Sequence, residues 1–319
     1  MTTMATRKIG NDNVAEMGLG LMGLSFLDTA FEDGWTNWDS ADCYGDSEDL
    51  VGKWFKRTGN RDRIFLATKC GIVLTETGMG VNGSPEYIKS ACAKSLNRLG
   101  IDQIDLFYLH RPDPTIPIEK SMSAMAELVK EGKIRYVGLS ESSADTLRRA
   151  HAVHPITAFQ VEYSPFTLDI EDEKTALLKT CRELGVAVIA YSPLGRGLLT
   201  GRYRSRDDFE DGDFRRTVPR FNNENFPKVL DIADSIAEVG KKHNATAGQV
   251  ALAWVLAQGK DIIPIPGTRK VKYLKENYNA IHVKLSNDEQ ERIRKFAEGA
   301  DIGDRYTWMQ TVVVDTPPL

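Results

Sequence analysis

A chain of 319 residues that is 41% hydrophobic and 27% charged has enough apolar material for a packed interior, which excludes a disordered or fibrous protein. A formal net charge of −4 offers no basic excess for a phosphate backbone, so neither nucleic acid nor an anionic membrane surface is an expected partner. No run approaches the ~18 apolar residues that span a bilayer, and the N-terminal MTTMATRKIGNDNV lacks an apolar signal core, so a cytoplasmic address is expected.

From residue 17 onward, short apolar β-type runs alternate with amphipathic helical patterns, the signature of repeated βα units and a parallel sheet. The strand candidates are MGLGL (17–21), WTNWDS (35–40), IFLATK (64–69), IDLFYL (104–109), IRYVGLS (134–140), TAFQVE (157–162), VAVIAYS (186–192) and DIIPIP (261–266). The helices between them have readable ends. Ser84 caps a helix with Pro85 in its first turn, Ile88, Ala91, Cys92, Leu96 and Leu99 share one face, and Gly100 closes it. Ile118, Met122, Met125, Leu128 and Val129 repeat the period before Gly132, as do Ala176, Leu177, Cys181 and Leu184 before Gly185. Helical segments at about 226–242 and 246–258 precede the last strand, and a final helix opens on the capping pair Ser286 and Glu289.

Eight strand-helix units in order, without a linker or composition break, favour a single (β/α)8 barrel over residues 1–319, with additional helices, rather than an open doubly wound sheet. GLGLMG (18–23) lacks the third glycine of a dinucleotide fingerprint. The polar stretches 72–83 and 207–225 read as loops, the second of them lying after the seventh strand, over the active face.

In such a barrel the reactive groups stand where strands end. Asp39, Tyr44, Lys69 and His110 stand at or just past three of those ends. Each alone has a plainer explanation as a cap, a packed ring, a solvated cation or a structural imidazole. Together they make a mechanism for carbonyl reduction. A free tyrosine holds its proton too tightly, a neighbouring ammonium favours phenolate, an aspartate keeps that lysine charged, and a neutral histidine orients the carbonyl oxygen. The alternative in which Lys69 forms a Schiff base leaves Asp39 and Tyr44 unexplained. Cys43, Cys70, Cys92 and Cys181 form no C-x-x-C pair and the five histidines lack ligand spacing, so reduced thiols and no metal site are expected, with Cys43 and Cys70 beside the reactive set.

WDSADCYG (38–45), ATKCG (67–71), RLGIDQIDLFYLHRPD (98–113), GKIRYVGLSE (132–141), QVEYSPF (160–166), AYSPLGRGLLTG (190–201) and IPIPGTRK (263–270) resemble the aldo-keto reductase family over nearly the whole chain, closest to pyridoxal reductase-like and aryl-alcohol dehydrogenase-like members. The resemblance implies reversible, NADPH-dependent reduction of a small-molecule aldehyde or ketone. It assigns catalysis to Tyr44, as acid, with Lys69, Asp39 and His110. Ser140 and Gln160 match the carboxamide contacts, and Tyr191 the ring that stacks on nicotinamide. Ser192, Leu194, Gly195 and Gly197 match the pyrophosphate loop. Gly267, Thr268, Arg269 and Lys272 match the 2′-phosphate segment, and Glu276 and Asn277 the adenine contacts. A monomer is the family default.

The chain departs from the family at two places. Glu141 stands where many relatives have Asn after the carboxamide serine, and the segment 24–34 is roughly ten residues short for a first helix and its loop, near the minimum of about 10 to 12 for a βα crossover. A shortened first unit makes a cofactor-binding relative with a regulatory role or little turnover the alternative reading. The aromatics Tyr306 and Trp308 are candidates for the substrate pocket.

Overall fold

Eight parallel strands follow one another around a barrel in the computed structural model, which describes residues 4–21, 26–75, 78–298 and 314–319. They are β1 (Leu19–Gly20), β2 (Asn37–Asp39), β3 (Phe65–Cys70), β4 (Ile104–Leu109), β5 (Ile134–Ser140), β6 (Ile156–Glu162), β7 (Ala187–Tyr191) and β8 (Ile262–Pro264), each paired with the next. The ring closes through a parallel bridge between Gly20 and Gly267 and through Gly18 N–H donating to Pro264 O at 2.9 Å. All eight expected strands are present. The paired parts of β1, β2, β7 and β8 are shorter than the apolar runs, because the ladder ends where neighbouring chains diverge into loops.

The helices carry the ends their caps announce. Ser84 accepts Tyr87 N–H at the start of the helix Pro85–Leu99, and Gly100 closes it at φ 64°. Ser286 and Glu289 cap the helix Asn287–Glu298 reciprocally. Their apolar faces bury Ile88, Cys92, Leu99, Met122 and Met125 in one continuous shell around the barrel.

Inside the barrel, Phe65, Ala67, Leu106, Tyr108, Ala158, Ala187, Ile189 and Ile263 form a second apolar cluster. It is sealed by Ile9 and Val14 from an antiparallel hairpin, Thr6–Ile9 with Asp12–Ala15, which the sequence reading passed over. Arg7 pins that hairpin by donating to Leu256 O at 2.8 Å, just before β8. The plug directs access to the opposite, C-terminal end of the strands.

Two loop readings are corrected. Residues 72–83 contain a second hairpin, Ile72–Thr75 with Gly78–Val81, whose register sets the exposed Leu74 opposite Met79. The stretch 207–225 is a run of short 3-10 turns that buries Phe209, Val218 and Phe221, since its few apolar residues meet one another although they share no period. The first unit retains a six-residue helix, Leu27–Glu32, with Leu27 and Ala30 buried. Tyr306 and Trp308 lie outside the described residues. Among the described residues no helix is long and apolar enough to cross a membrane.

Gly138 on β5 faces Tyr108 on β4 in register, and a Cβ there would meet the Tyr108 ring at 2.3 Å. Gly138→Ala is expected to destabilise the protein by about 1–3 kcal/mol through overpacking, read from the urea midpoint; an unchanged midpoint would show that the ring has room to move.

Candidate active site

Parallel pairing aligns the strand ends, so residues far apart in sequence meet at one mouth. Asp39 ends β2, Lys69 is the penultimate residue of β3, His110 follows β4, Ser140 ends β5, Gln160 lies opposite Ser140 on β6, and Tyr191 ends β7 opposite Glu162. Tyr44 sits in the loop after β2, which is tied to β3 by Asp42 N–H donating to Lys69 O at 3.0 Å.

Lys69 has no exposed surface. Its ammonium forms an ion pair with Asp39 Oδ1 and donates to Ser40 O at 2.5 Å. Burial alone would lower its affinity for a proton, but Asp39, joined by Tyr44, holds it above the ordinary lysine value. A Schiff-base lysine needs the opposite, a neutral amine at working pH, which argues against the lyase reading. The second oxygen of Asp39 accepts from Gln160 Nε2 at 2.8 Å, so a residue matched to the carboxamide also braces the ion pair.

The Lys69 ammonium lies 5.1 Å from the centroid of the Tyr44 ring, and the His110 ring meets that ring edge-on at 5.8 Å. Burial, with the cations Lys69 and Arg111, holds His110 well below the usual imidazole range, so it is neutral at pH 7. Cys43 Sγ stands 3.7 Å from His110 Nδ1. Although the Cys43 residue is exposed, desolvation of its thiol beside Asp42 pushes it up to about 11, and burial raises the Cys70 thiol well above its ordinary value, so neither is a thiolate at neutral pH.

The cofactor candidates divide into groups. Ser140 and Gln160 are buried beside the ion pair, and the Tyr191 ring is half-buried. After β7, Ser192 (φ 49°), Gly195 (φ 55°), Arg196 (φ 56°) and Gly197 (φ 92°) are left-handed, the backbone pattern that turns amides toward an anion, and Leu194 packs beneath them. The amides of Gly195 and Gly197 donate within the loop, to Ser192 O and Leu194 O. Gly267 lies at the barrel closure. Thr268, Arg269 and Lys272 stand around the start of the helix Val271–Tyr278, with both cations exposed. Glu276 accepts from Thr246 Oγ1 at 2.8 Å and Asn277 is buried.

Two buried carboxylates stand at this end, Glu141, which the sequence marked only as a departure from the family, and Glu162, which it passed over. Glu141, at φ 53°, faces Arg111 at 3.3 Å, and Glu162 faces Arg196 at 3.1 Å. The available signal was a charged residue at the close of an apolar strand. A cleft of about 1000 Å³ lies at the other end of the barrel, beside Asp12, Phe65 and Arg135. At its centre Asp105 meets Arg61 and Arg135 at 2.8 Å each.

Comparison with known proteins agrees with this geometry. The aldo/keto reductase family model matches residues 21–298. The chain is 57% identical over 336 residues to aldo-keto reductase str7 of Strobilurus tenacellus, covering 99% of each protein. It is 49% identical over 337 residues to aldo-keto reductase yakc of Schizosaccharomyces pombe, whose name specifies NADP(+), again covering 99% of each. The glycerol dehydrogenase structure from Gluconobacter oxydans matches with a TM-score of 0.84 at 26% identity, over 95% of this chain and 98% of that one. An aldo-keto reductase from Klebsiella pneumoniae in complex with NADPH gives 0.68 at 26%, over 93% and 96%. The mouth is that of an oxidoreductase acting on carbonyl groups. The chain belongs to the aldo/keto reductase family. Both close alignments are longer than its 319 residues, so these relatives have positions without a counterpart here.

Asp42 gives the site a pH signature. Burial, followed by the Glu48 carboxylate, pushes its carboxyl up to about 6, against Arg98 and a hydrogen bond from Tyr87 at 3.3 Å. An acid raised on folding adds stability that is full below about pH 4 and is lost as pH rises through its folded value. Asp42→Asn, never ionised, is therefore expected to gain on the native protein between pH 5 and pH 8 in thermal unfolding; a constant difference in Tm would refute this.

Proposed function

We propose that the chain reduces an aldehyde or ketone to the alcohol with NADPH, reversibly, and that Tyr44 delivers the proton. The observation that carries this reading is the fully buried Lys69 ammonium, fixed by Asp39, 5.1 Å from the Tyr44 ring centroid. NADPH, when bound, supplies the hydride. The cation beside the phenol stabilises the phenolate left when the proton moves to the nascent alkoxide, and Asp39 keeps that cation in place. His110, neutral, donates a hydrogen bond to the carbonyl oxygen and orients it for the proton from Tyr44.

The residues for the cofactor are those matched above. Ser140 and Gln160 hold the carboxamide, Tyr191 takes the ring face, and Ser192, Leu194, Gly195 and Gly197 take the pyrophosphate. Gly267, Thr268, Arg269 and Lys272 take the 2′-phosphate, with Glu276 and Asn277 at the adenine. The left-handed run after β7 and the paired cations Arg269 and Lys272 support an anionic dinucleotide bearing a 2′-phosphate. The NADP(+) in the name of the fission-yeast relative points the same way. The whole chain works as one cytoplasmic catalytic domain.

NADPH oxidation with 4-nitrobenzaldehyde and pyridoxal is expected in the native protein, with Tyr44→Phe slower by on the order of 10²-fold or more while still binding NADPH. NADPH binding without turnover of either carbonyl would move the non-catalytic, regulatory reading to the front. Arg269→Ala is expected to raise KM for NADPH by about tenfold or more, the size of one lost charge-assisted hydrogen bond, with little change for NADH; equal effects on both would remove Arg269 from the 2′-phosphate site.

A further inference from the structure

Glu141 occupies the position after Ser140 where the family often has an amide side chain facing the cofactor. Here it does something else. It is 1% exposed and adopts a left-handed backbone, a combination that persists only where the surroundings dictate it. Its N–H donates to Gln160 O at 3.2 Å, and its C=O accepts from Val314 N–H at 3.3 Å. Oε1 accepts from the Tyr191 hydroxyl at 2.8 Å and from Glu162 N–H at 3.1 Å, while Oε2 faces Arg111 Nη1 at 3.3 Å. Both carboxylate oxygens are thus engaged by protein. One side chain ties together the ends of β6 and β7 and the residue after His110, while the backbone carbonyl of the same residue holds the C-terminal segment.

The Tyr191 ring is held at its hydroxyl edge by this carboxylate. Arg111 faces the same carboxylate, and a hydroxyl donating to a charge-paired carboxylate makes a shorter, stronger bond than one donating to a neutral acceptor. A stacking platform contributes to affinity in proportion to how little freedom it loses on binding, so a pinned ring binds better than one that swings about its χ1 and χ2.

We propose that Glu141 is a positioning residue: through the Tyr191 hydroxyl it fixes the ring on which the nicotinamide stacks, and so sets NADPH affinity without contacting the cofactor. This rests on the reductase reading above. The test is direct titration of native protein, Tyr191→Phe, Glu141→Gln and the double variant with NADPH, followed by fluorescence, with steady-state kinetics alongside. Tyr191→Phe keeps the ring and loses only the tether. It is expected to raise Kd and KM for NADPH by about tenfold, the worth of one hydrogen bond to a charged group, while kcat at saturating NADPH falls by a smaller factor.

Glu141→Gln is expected to give a smaller rise in the same direction, because the amide oxygen still accepts, and the double variant to be no weaker than Tyr191→Phe alone. Additive losses, or native affinity in Tyr191→Phe, overturn the proposal. Losses in kcat with unchanged Kd also overturn it, by showing a merely structural role. If Glu141→Gln does not fold, Tyr191→Phe still decides the matter, since it leaves the Glu141–Arg111 pair in place. Failure of the native protein to bind NADPH would instead sink the reductase reading and this proposal with it, an outcome distinct from native binding that both variants share.

Discussion

A lysine ammonium with no surface in water is the constraint around which this mouth is built. Removing such an ion from solvent costs several kcal/mol unless paired charge and hydrogen bonds offset it. Lys69 meets that requirement with Asp39 and the carbonyl of Ser40. Asp39 is then itself a buried anion with a second oxygen to satisfy, and Gln160 reaches it from β6, four strands away around the ring. One desolvated charge therefore sets the relative placement of β2, β3 and β6, and the groups proposed for catalysis and for the nicotinamide cannot shift independently.

The same logic repeats along the C-terminal ends. Glu141 with Arg111, and Glu162 with Arg196, are carboxylates sealed beside guanidiniums, and Arg220 adds a hydrogen bond to Thr167 at 2.7 Å beside the second pair. Arg196 and Arg220 belong to the connection after β7, so ion pairing fastens that long connection onto the barrel end. A polar, ionic layer thus overlies the apolar interior of Phe65, Leu106, Tyr108 and Ile189. Ionic interactions are strongest where water is scarce, which suits the proposed tuning of the Tyr44 phenol beside a neutral His110.

At the opposite end the chain spends its first strands on closure. The hairpin carrying Ile9 and Val14 fills the barrel floor, and in the neighbouring cleft Asp105 and Asp12 are paired with Arg61 and Arg135. The two ends share a fold and differ in what their side chains leave to do: the floor is satisfied by the protein, whereas the mouth presents Tyr44, His110 and the half-buried Tyr191 ring toward whatever enters.

Much of this was determined by sequence alone. Apolar runs such as IDLFYL and IRYVGLS must be buried on both faces, which calls for parallel strands covered by helices, and Ser84, Gly100, Ser286 and Glu289 mark helix ends by local hydrogen bonding that needs no distant partner. The reactive set was readable because it sits at strand ends in fixed motifs. The hairpin at Thr6–Ala15 escaped because its strands are short and gain stability only against the barrel floor; the turn at Gly10, with φ 56°, was its one local mark. Tertiary structure alone decided that Gln160 braces Asp39, that Glu141 turns its carboxylate to Tyr191 and Arg111, and that the aromatics of 207–225 bury one another. The first two depend on partners dozens of residues away, brought together by the closure of the ring, and the third joins Phe209 to Phe221 within one connection; no local period or spacing carries that information.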